Sequence, residues 1–427
     1  MNTLKPSLVV FPFDAFDIRS YRTPGNILLT ANDIQALWKE RGPKAWVLWP
    51  VSMLFGVVAG VRRLLYRHGW LSTYRASVPV IVVGNITVGG SGKSPLVVAL
   101  AHHLKDAGYR VGIVCRGYKA DDSVKVPLEV DASTPTHLAG DEAVMIAQAT
   151  DCPVVVDKKR SAAIAYLLKQ NKIDVVLSDD GLQHYAMQRD IEIVVVSEFA
   201  GFGNGFLLPA GPLREPKSRL STVDFVVRSS SEANAQTDPA HAIADIKHAD
   251  GLPVVDGQKV FAYSLQLHEL VRLDEQRRVP IADLRNNGVM TLLADPSQRS
   301  QVSDVDNDAP QTKILALAGI ANPERFFQTL KASNLDFQPR IHPDHYSYSE
   351  HDFNLIDPNE TTADELSSTI YIMTEKDAIK CRELSIDKTK AWYCKTTVVL
   401  DEKFMGRLLK RLEESVLRDR PSGDSAA

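Results

Sequence analysis

Cysteine is scarce in this chain, net charge is small, and no apolar run is long enough to make a clear membrane span. The four cysteines, Cys115, Cys152, Cys381 and Cys394, form no C-x-x-C pair and no zinc-ligand spacing. That excludes a disulfide framework and a cysteine-ligated metal module, so each thiol reads as a small buried hydrophobe in a reducing compartment. A formal charge of −4 over 427 residues leaves no basic footprint, and nucleic acid is not expected as a partner. The amino end has no basic region leading into an apolar core. Lys5 precedes only Leu8–Phe13, interrupted by Pro12, so no secretory leader is expected. A content of 44% hydrophobic and 24% charged residues is that of a soluble globular protein with room for two or three domains.

What is present is concentrated at residues 78–94, VPVIVVGNITVGGSGKS. Val80, Ile81, Val82 and Val83 read as a buried strand, Gly89, Gly90 and Gly92 as a loop, and Leu96–Ala101 with Leu104 as a helix. Strand, glycine loop and helix together are the setting of a P-loop. The glycines let backbone N–H groups turn onto a polyphosphate, and the helix N-terminus adds partial positive charge. Lys93 would neutralise β/γ-phosphates, and the Ser94 hydroxyl would ligate Mg²⁺. The first glycine of G-x-x-x-x-G-K-[ST] is missing, with Thr87 in its place. The competing reading is an ordinary glycine-rich turn that ends in Gly-Lys-Ser.

From residue 78 strands and helices alternate. Arg110–Cys115, Pro153–Val156, Ile173–Leu177, Ile191–Val196 and Val223–Val227 read as strands. Apolar strands separated by helices predict a parallel sheet covered on both faces, with the chemistry at the carboxyl ends of the strands. Gly84–Ser94, Arg116, Asp179-Asp180 and the loop after Val196 all fall at that edge. The loop itself, GFGNGFLLPAGPLREP at 201–216, lacks the G-x-G-x-x-G spacing of a dinucleotide site. A second alternation begins at Lys313–Ala318 and continues through Thr369–Met373 and Val398–Leu400. The expected fold is α/β: a P-loop NTPase-like parallel-sheet domain, an N-terminal membrane-associating helix, and a second, smaller α/β domain. The expected boundaries are 1–44 for an extension without assigned role, 45–77 for the apolar and basic segment, and 78–228 for the P-loop domain. Residues 229–414 form the second domain, with flexible insertions at 229–250 and 294–311, and 415–427 a frayed tail. The pattern between the two insertions is broken and stays unassigned.

Residues 45–61, containing WVLWPVSMLFGVVAG, carry no charge, and Arg62, Arg63 and Arg67 follow at once. A full span needs about 20 apolar residues, and Pro50, Gly56 and Gly60 weaken this stretch further. A basic, Trp-bearing apolar helix has the composition of a segment lying in the interface of an anionic membrane. A buried core helix and a true span are the other two arrangements.

Three further groups carry possible chemistry. Asp179-Asp180 ends an apolar strand, where a Walker-B carboxylate would meet Mg²⁺; two adjacent acids there are equally often a turn. Gln183 and His184 follow closely enough to reach a phosphate. Asp141 and Glu142 open a helix, a place the dipole favours for acids in any case. His345, in PDHY, is either one partner of a surface pair or a group facing the P-loop domain across a cleft. Spacing alone does not choose between them.

The blocks GNITVGGSGKSP, CRGY, GDE, DDGLQH, GFGNGFLLPAGPLREP, AGIANPERFF, PDHY and MTEKDAIK follow one another in this order. In that order the chain resembles the tetraacyldisaccharide 4′-kinases of the lipid A pathway of Gram-negative bacteria, over residues 38 to 410. The resemblance implies a kinase on the cytoplasmic face of the bacterial inner membrane, using ATP and Mg²⁺. Its substrate would be an acylated glucosamine disaccharide 1-phosphate, phosphorylated at the 4′-hydroxyl to give lipid IV-A, with no obligate protein partner. The resemblance also implies roles: Ser91, Lys93 and Ser94 with the glycines on phosphates; Ser94, Asp179, Asp180 and Glu142 on the metal side; Asp141 as general base helped by His345. Arg116, Arg160, His184, Arg214 and Glu215 would be substrate and transition-state contacts. A P-loop ATPase acting as a membrane-associated switch, and a non-enzymatic membrane adaptor, are the alternatives.

Overall fold

The computed structural model describes residues 31–117, 124–198, 201–230, 260–283, 313–354 and 369–419. The expected insertion at 294–311 and most of that at 229–250 lie outside the described residues, as does the greater part of the amino-terminal extension.

The apolar runs become strands of one mixed sheet. In chain order these are β1 Val80–Gly84, β2 Val111–Cys115, β3 Leu128–Val130, β4 Val154–Val156, β5 Val175–Asp179, β6 Ile191–Ser197 and β7 Phe225–Ser230. They continue as β8 Val260–Arg272, β9 Arg278–Pro280, β10 Ile314–Ala318, β11 Gln338–Ile341, β12 Ile370–Thr374 and β13 Ala391–Leu400. Their order across the sheet is β11-β10-β12-β13-β8-β7-β6-β1-β5-β2-β4-β3, with β9 on β8. Neighbours from β8 to β4 are parallel, as are those from β11 to β13. The two halves meet at the antiparallel pair of β8 and β13. β1 shows why such strands need continuous apolar sequence: Ile81 and Val83 enter one core, Val80 and Val82 the other.

The helices that bear on the site are α1 Ala31–Lys39, α2 Pro43–Arg67, α3 Lys93–Asp106, the short α4 Thr136–Ala139, α5 Asp141–Thr150 and α6 Arg160–Gln170. In the second half they are α7 Pro323–Ala332, α8 His351–Asn354, α9 Glu375–Cys381 and α10 Glu402–Asp419. α10 returns to the first half, where Phe404, Leu408 and Leu412 join the core beside α3 and α5. It runs to Asp419 with Ser415 buried, past the point where a frayed tail was expected to begin.

Sequence reading stopped β5 at Leu177, whereas Ser178 and Asp179 remain in the strand. Ser178 pairs with Val82 on one side and Val114 on the other, so two ladders carry polar residues deep into the sheet. The unassigned stretch contains β8. It pairs parallel with β7 and antiparallel with β13, and β13 has a register shift between Lys395 and Thr396. No single alternation survives that change of partners. Six strand-to-strand steps separate β10 from β1. Loops of both halves nevertheless meet, with Asp141 of the first half bonded to His345 of the second.

α2 overturns the buried-helix arrangement. Among its residues only Ala45 and Ser52 are buried, while Val47, Leu54 and Val57 are 76%, 64% and 62% exposed. One narrow stripe docks on the 201–216 loop. The Ser52 hydroxyl accepts from the Ala210 N–H at 2.9 Å, and the Trp46 and Phe206 rings meet edge-on at 5.0 Å. Gly56 lets the helix approach closely there: a Cβ would stand 2.6 Å from Leu207 Cδ1, and that side chain would have to shift.

Candidate active site

The phosphate loop is shaped by a segment from the other end of the first half. Val88 N–H donates to Pro212 O at 2.8 Å, Arg214 N–H donates to Ile86 O at 2.7 Å, and Thr87 and Leu213 form an antiparallel bridge between them. Thr87 therefore occupies extended backbone, so the missing first glycine costs nothing. The conformational freedom is needed later, at Gly89 (φ 108°) and Gly92 (φ 83°). Gly92 caps α3, and its carbonyl accepts from the Tyr263 hydroxyl at 2.6 Å. Ser91 is buried, with its hydroxyl accepting from Asn85 Nδ2 at 3.1 Å. Gly90 lies against the second half, where a Cβ would meet Ala321 at 3.0 Å.

Below the loop, charges are crowded and unequally satisfied. Asp180, at φ 48°, faces Lys93 Nζ at 3.5 Å and Arg214 Nη1 at 3.2 Å. Burial opposes its ionisation, but Arg214, Lys93 and Arg160 outweigh burial and hold the carboxyl well below the usual range. Asp179 is treated oppositely. It is 3% exposed, accepts from Ser94 Oγ at 3.3 Å, and leaves Oδ1 buried without a partner. Burial, with Glu142 and Asp180 adding repulsion that Lys93 and Arg160 only partly offset, pushes its carboxyl far above the carboxylate range. An orphaned buried oxygen beside a hydroxyl, in surplus negative field, suits a divalent cation. Among the described residues no three Asp, Glu, His or Cys side chains converge as a closed cage.

The second cluster joins the two halves. Asp141 opens α5, and His345 follows β11. His345 Nδ1 donates to Asp141 at 2.9 Å (Oδ2) and 3.2 Å (Oδ1). His345 is in the left-handed region, φ 58°, where strain of order 1–3 kcal/mol persists only under outside constraint. Its N–H donates to Gly319 O at 3.1 Å, and Gly319 N–H donates to the fully buried Asp377 at 2.9 Å. Burial pushes the Asp141 carboxyl up, but the bond from His345 and the charges of Lys376 and Lys380 prevail and hold it at about 2. Glu142 lies between the clusters: it acts on Asp179, and its Oε1 is 3.3 Å from Lys376 Nζ.

The remaining sequence candidates divide. Arg214 stands on Asp180 and Gln183, and Gln183 Nε2 donates to Asn85 O at 2.9 Å. Arg116 is half-buried at the carboxyl end of β2. Arg160 and Glu215, read as substrate contacts, are turned inward instead. Arg160, 2% exposed, donates to the carbonyls of Asp157 and Asp179; Glu215, 5% exposed, accepts from Arg219 Nε at 3.0 Å. His184 Nε2 accepts from the Arg160 N–H at 3.2 Å. These three frame Asp179 and the 201–216 loop from behind. Lys376 went unnoticed although its block, MTEKDAIK, was in view: a lysine on a short helix has no spacing that points across the molecule.

With this geometry in hand, known proteins separate the readings. A model of the tetraacyldisaccharide-1-P 4′-kinase family matches residues 44–413. The chain belongs to this family. The tetraacyldisaccharide 4′-kinase of Aeromonas hydrophila is 36% identical over 379 residues, covering 89% of this chain and 96% of that protein. That of Herminiimonas arsenicoxydans is 39% identical over 379 residues, covering 88% and 94%. A crystal structure of LpxK from Aquifex aeolicus in complex with ATP matches with a TM-score of 0.63 at 26% identity, covering 86% of this chain and 99% of that one.

The state of Asp179 has a measurable sign. A carboxyl group whose folded pKa is raised contributes its stability fully below about pH 4 and loses it as pH rises through the folded value. In metal-free protein, Asp179→Asn should therefore melt above wild type at pH 8, by roughly 2 kcal/mol, with the gap closing toward pH 5. Turnover of the variant should collapse. A lower melting temperature at pH 8 would mean that Asp179 is paired within the protein and needs no cation.

Proposed function

We propose that the chain is a lipid kinase that transfers the γ-phosphoryl group of ATP to the 4′-hydroxyl of tetraacyldisaccharide 1-phosphate. Family membership gives the reaction, and one observation carries the assignment of parts. The phosphate loop and the Asp141 carboxylate are built into one edge, with Glu142 electrically coupled to both sides. Lys93 and the backbone N–H groups of 89–94 hold the β/γ-phosphates, and Arg214 waits beside Asp180 to meet charge on the transferring group. Ser94 and Asp179 would hold Mg²⁺, with Glu142 and Asp180 behind them; the ion, when bound, neutralises phosphate charge.

Asp141 accepts the proton of the sugar hydroxyl. A carboxylate held at about 2 is a weak base, yet it is always ionised at neutral pH. A loose phosphoryl-transfer transition state asks little of the nucleophile until late, so a weak, well-placed acceptor suffices. His345 holds that carboxylate in place. Arg116, at the carboxyl end of β2, contacts the disaccharide 1-phosphate, while Arg160, His184 and Glu215 position the strands and loops around it.

The exposed apolar face of α2 lies in the membrane surface on the cytoplasmic side, bringing the site to a lipid whose acyl chains stay in the bilayer. On this reading the chain is a peripheral or monotopic protein of the inner membrane. Among the described residues α2 is the one helix long and apolar enough to cross, and its docking on the 201–216 loop favours lying flat.

Incubation with γ-labelled ATP, Mg²⁺ and the acylated disaccharide 1-phosphate should give a labelled lipid, with the label at the 4′ position. Lys93→Ala should abolish the label. ATP hydrolysis that ignores the lipid would favour the switch reading instead. Arg62, which lies over the Tyr66 ring of its own helix at 5.8 Å, and Arg67 test the membrane contact; Arg63 donates to Thr222 at 3.0 Å. Each basic residue near an anionic surface adds about 1 kcal/mol, so Arg62→Gln with Arg67→Gln should weaken vesicle binding roughly 30-fold. Turnover should fall on lipid in vesicles and persist on lipid in detergent. Equal loss in both would assign α2 to the fold.

A further inference from the structure

The neighbours of His345 constrain its ring, although Asp344 Oδ2 also stands 3.8 Å from Nε2. Nδ1 faces the Asp141 carboxylate, which accepts and does not donate, so Nδ1 carries the hydrogen. Nε2 lies 3.2 Å from Lys376 Nζ, and an ammonium donates and does not accept, so Nε2 presents its lone pair. Lys376 is itself confined: its side chain is 16% exposed, with Glu142 at 3.3 Å, Asp344 at 3.7 Å and Asp141 at 3.9 Å. It projects from the first turn of α9, which Thr374 caps by accepting from the Asp377 N–H. Asp377, fully buried, also ties down Gly319, whose carbonyl receives the His345 N–H. The lysine and the histidine are thus set on one rigid frame.

We propose that Lys376 is a positioning residue for phosphoryl transfer: by donating to Nε2 it holds His345 in the Nδ1–H form, aimed at Asp141. Without that donor the imidazole can take the Nε2–H form. Asp141 would then face a bare nitrogen, two acceptors would oppose each other, and the carboxylate would swing away from the sugar hydroxyl. Lys376 also lies within ion-pair reach of Glu142 and Asp141 on α5, and a role confined to that brace is the alternative the test must separate. The proposal rests on reading Asp141 and His345 as the proton-accepting pair.

The test combines kinetics with ¹⁵N-imidazole spectra of the full chain. Lys376→Met should lower kcat about 10- to 100-fold while KM for ATP stays within roughly threefold. Lys376→Arg, which keeps a donor, should recover part of the loss and guards against a variant that merely folds poorly. In a His345→Ala background, Lys376→Met should cost roughly threefold or less. The His345 resonances should report Nδ1–H in wild type and move toward the other tautomer in Lys376→Met. An unmoved tautomer, or full multiplicative loss in the His345→Ala background, would overturn the proposal and leave Lys376 as a brace between the halves. Near-wild-type turnover of His345→Ala is a distinct outcome: it would remove the proton-accepting pair itself, and the proposal with it.

Discussion

The contact on which the rest depends is the hydrogen bond between His345 and Asp141, residues 204 positions apart. It joins the two halves of the sheet at the edge where the chemistry is assembled. An ionised carboxylate that is 7% exposed needs partners, because burial alone would drive it toward the neutral form. Besides the Glu142 N–H at 3.0 Å, those partners come from the second half: His345 directly, Lys376 and Lys380 through space. Their own placement is bought with strain, since His345 adopts a left-handed backbone. Asp377 and Gly319 hold that backbone in place from beneath.

On the phosphate side the design is the reverse. Asp180 is surrounded by cations and Asp179 is left short of them, so two adjacent carboxylates in the same strand end have opposite ionisation tendencies. The unsatisfied one stands beside the Ser94 hydroxyl. Surplus negative charge there destabilises the empty protein and is relieved when a cation arrives with nucleotide, which couples binding to stability. The 201–216 loop supports this site twice. It pairs with the phosphate loop through Thr87, Val88 and Arg214, and it receives α2 through Ala210, Phe206 and Leu207. The exposed apolar helix α2 and the phosphate loop therefore rest on the same segment.

Much of this was legible in the sequence, and the reasons for success and failure are physical. Val80–Gly84 and its parallel neighbours are apolar on both faces, so composition alone marked them. β8 was not legible because it changes partner and register along its length, and its apolar residues are shared among four cores. The P-loop was read through its later glycines, but Thr87 was explicable only once its bridge to Leu213 was visible. Arg160 and Glu215 carry the charges expected of substrate contacts. Their burial depends on the folds of α6 and of the loop beyond Pro212, which no local pattern encodes. Asp141 and His345 stood out as residue types, and their pairing was implied only by the family resemblance, because no local spacing brings residues 204 positions apart together. Lys376 had no signal beyond its block.

The central claim is that Asp141 and His345 act as one proton-accepting unit across the two halves. Its most direct test is a double-mutant cycle on single-turnover rates, with Mg²⁺, ATP and the acylated disaccharide 1-phosphate in detergent. Asp141→Ala and His345→Ala should each slow transfer by about 10²- to 10⁴-fold. The double variant should be no slower than the poorer single one, because a unit already broken loses little more. Losses that multiply would show two independent roles, and the account of a shared unit would be contradicted.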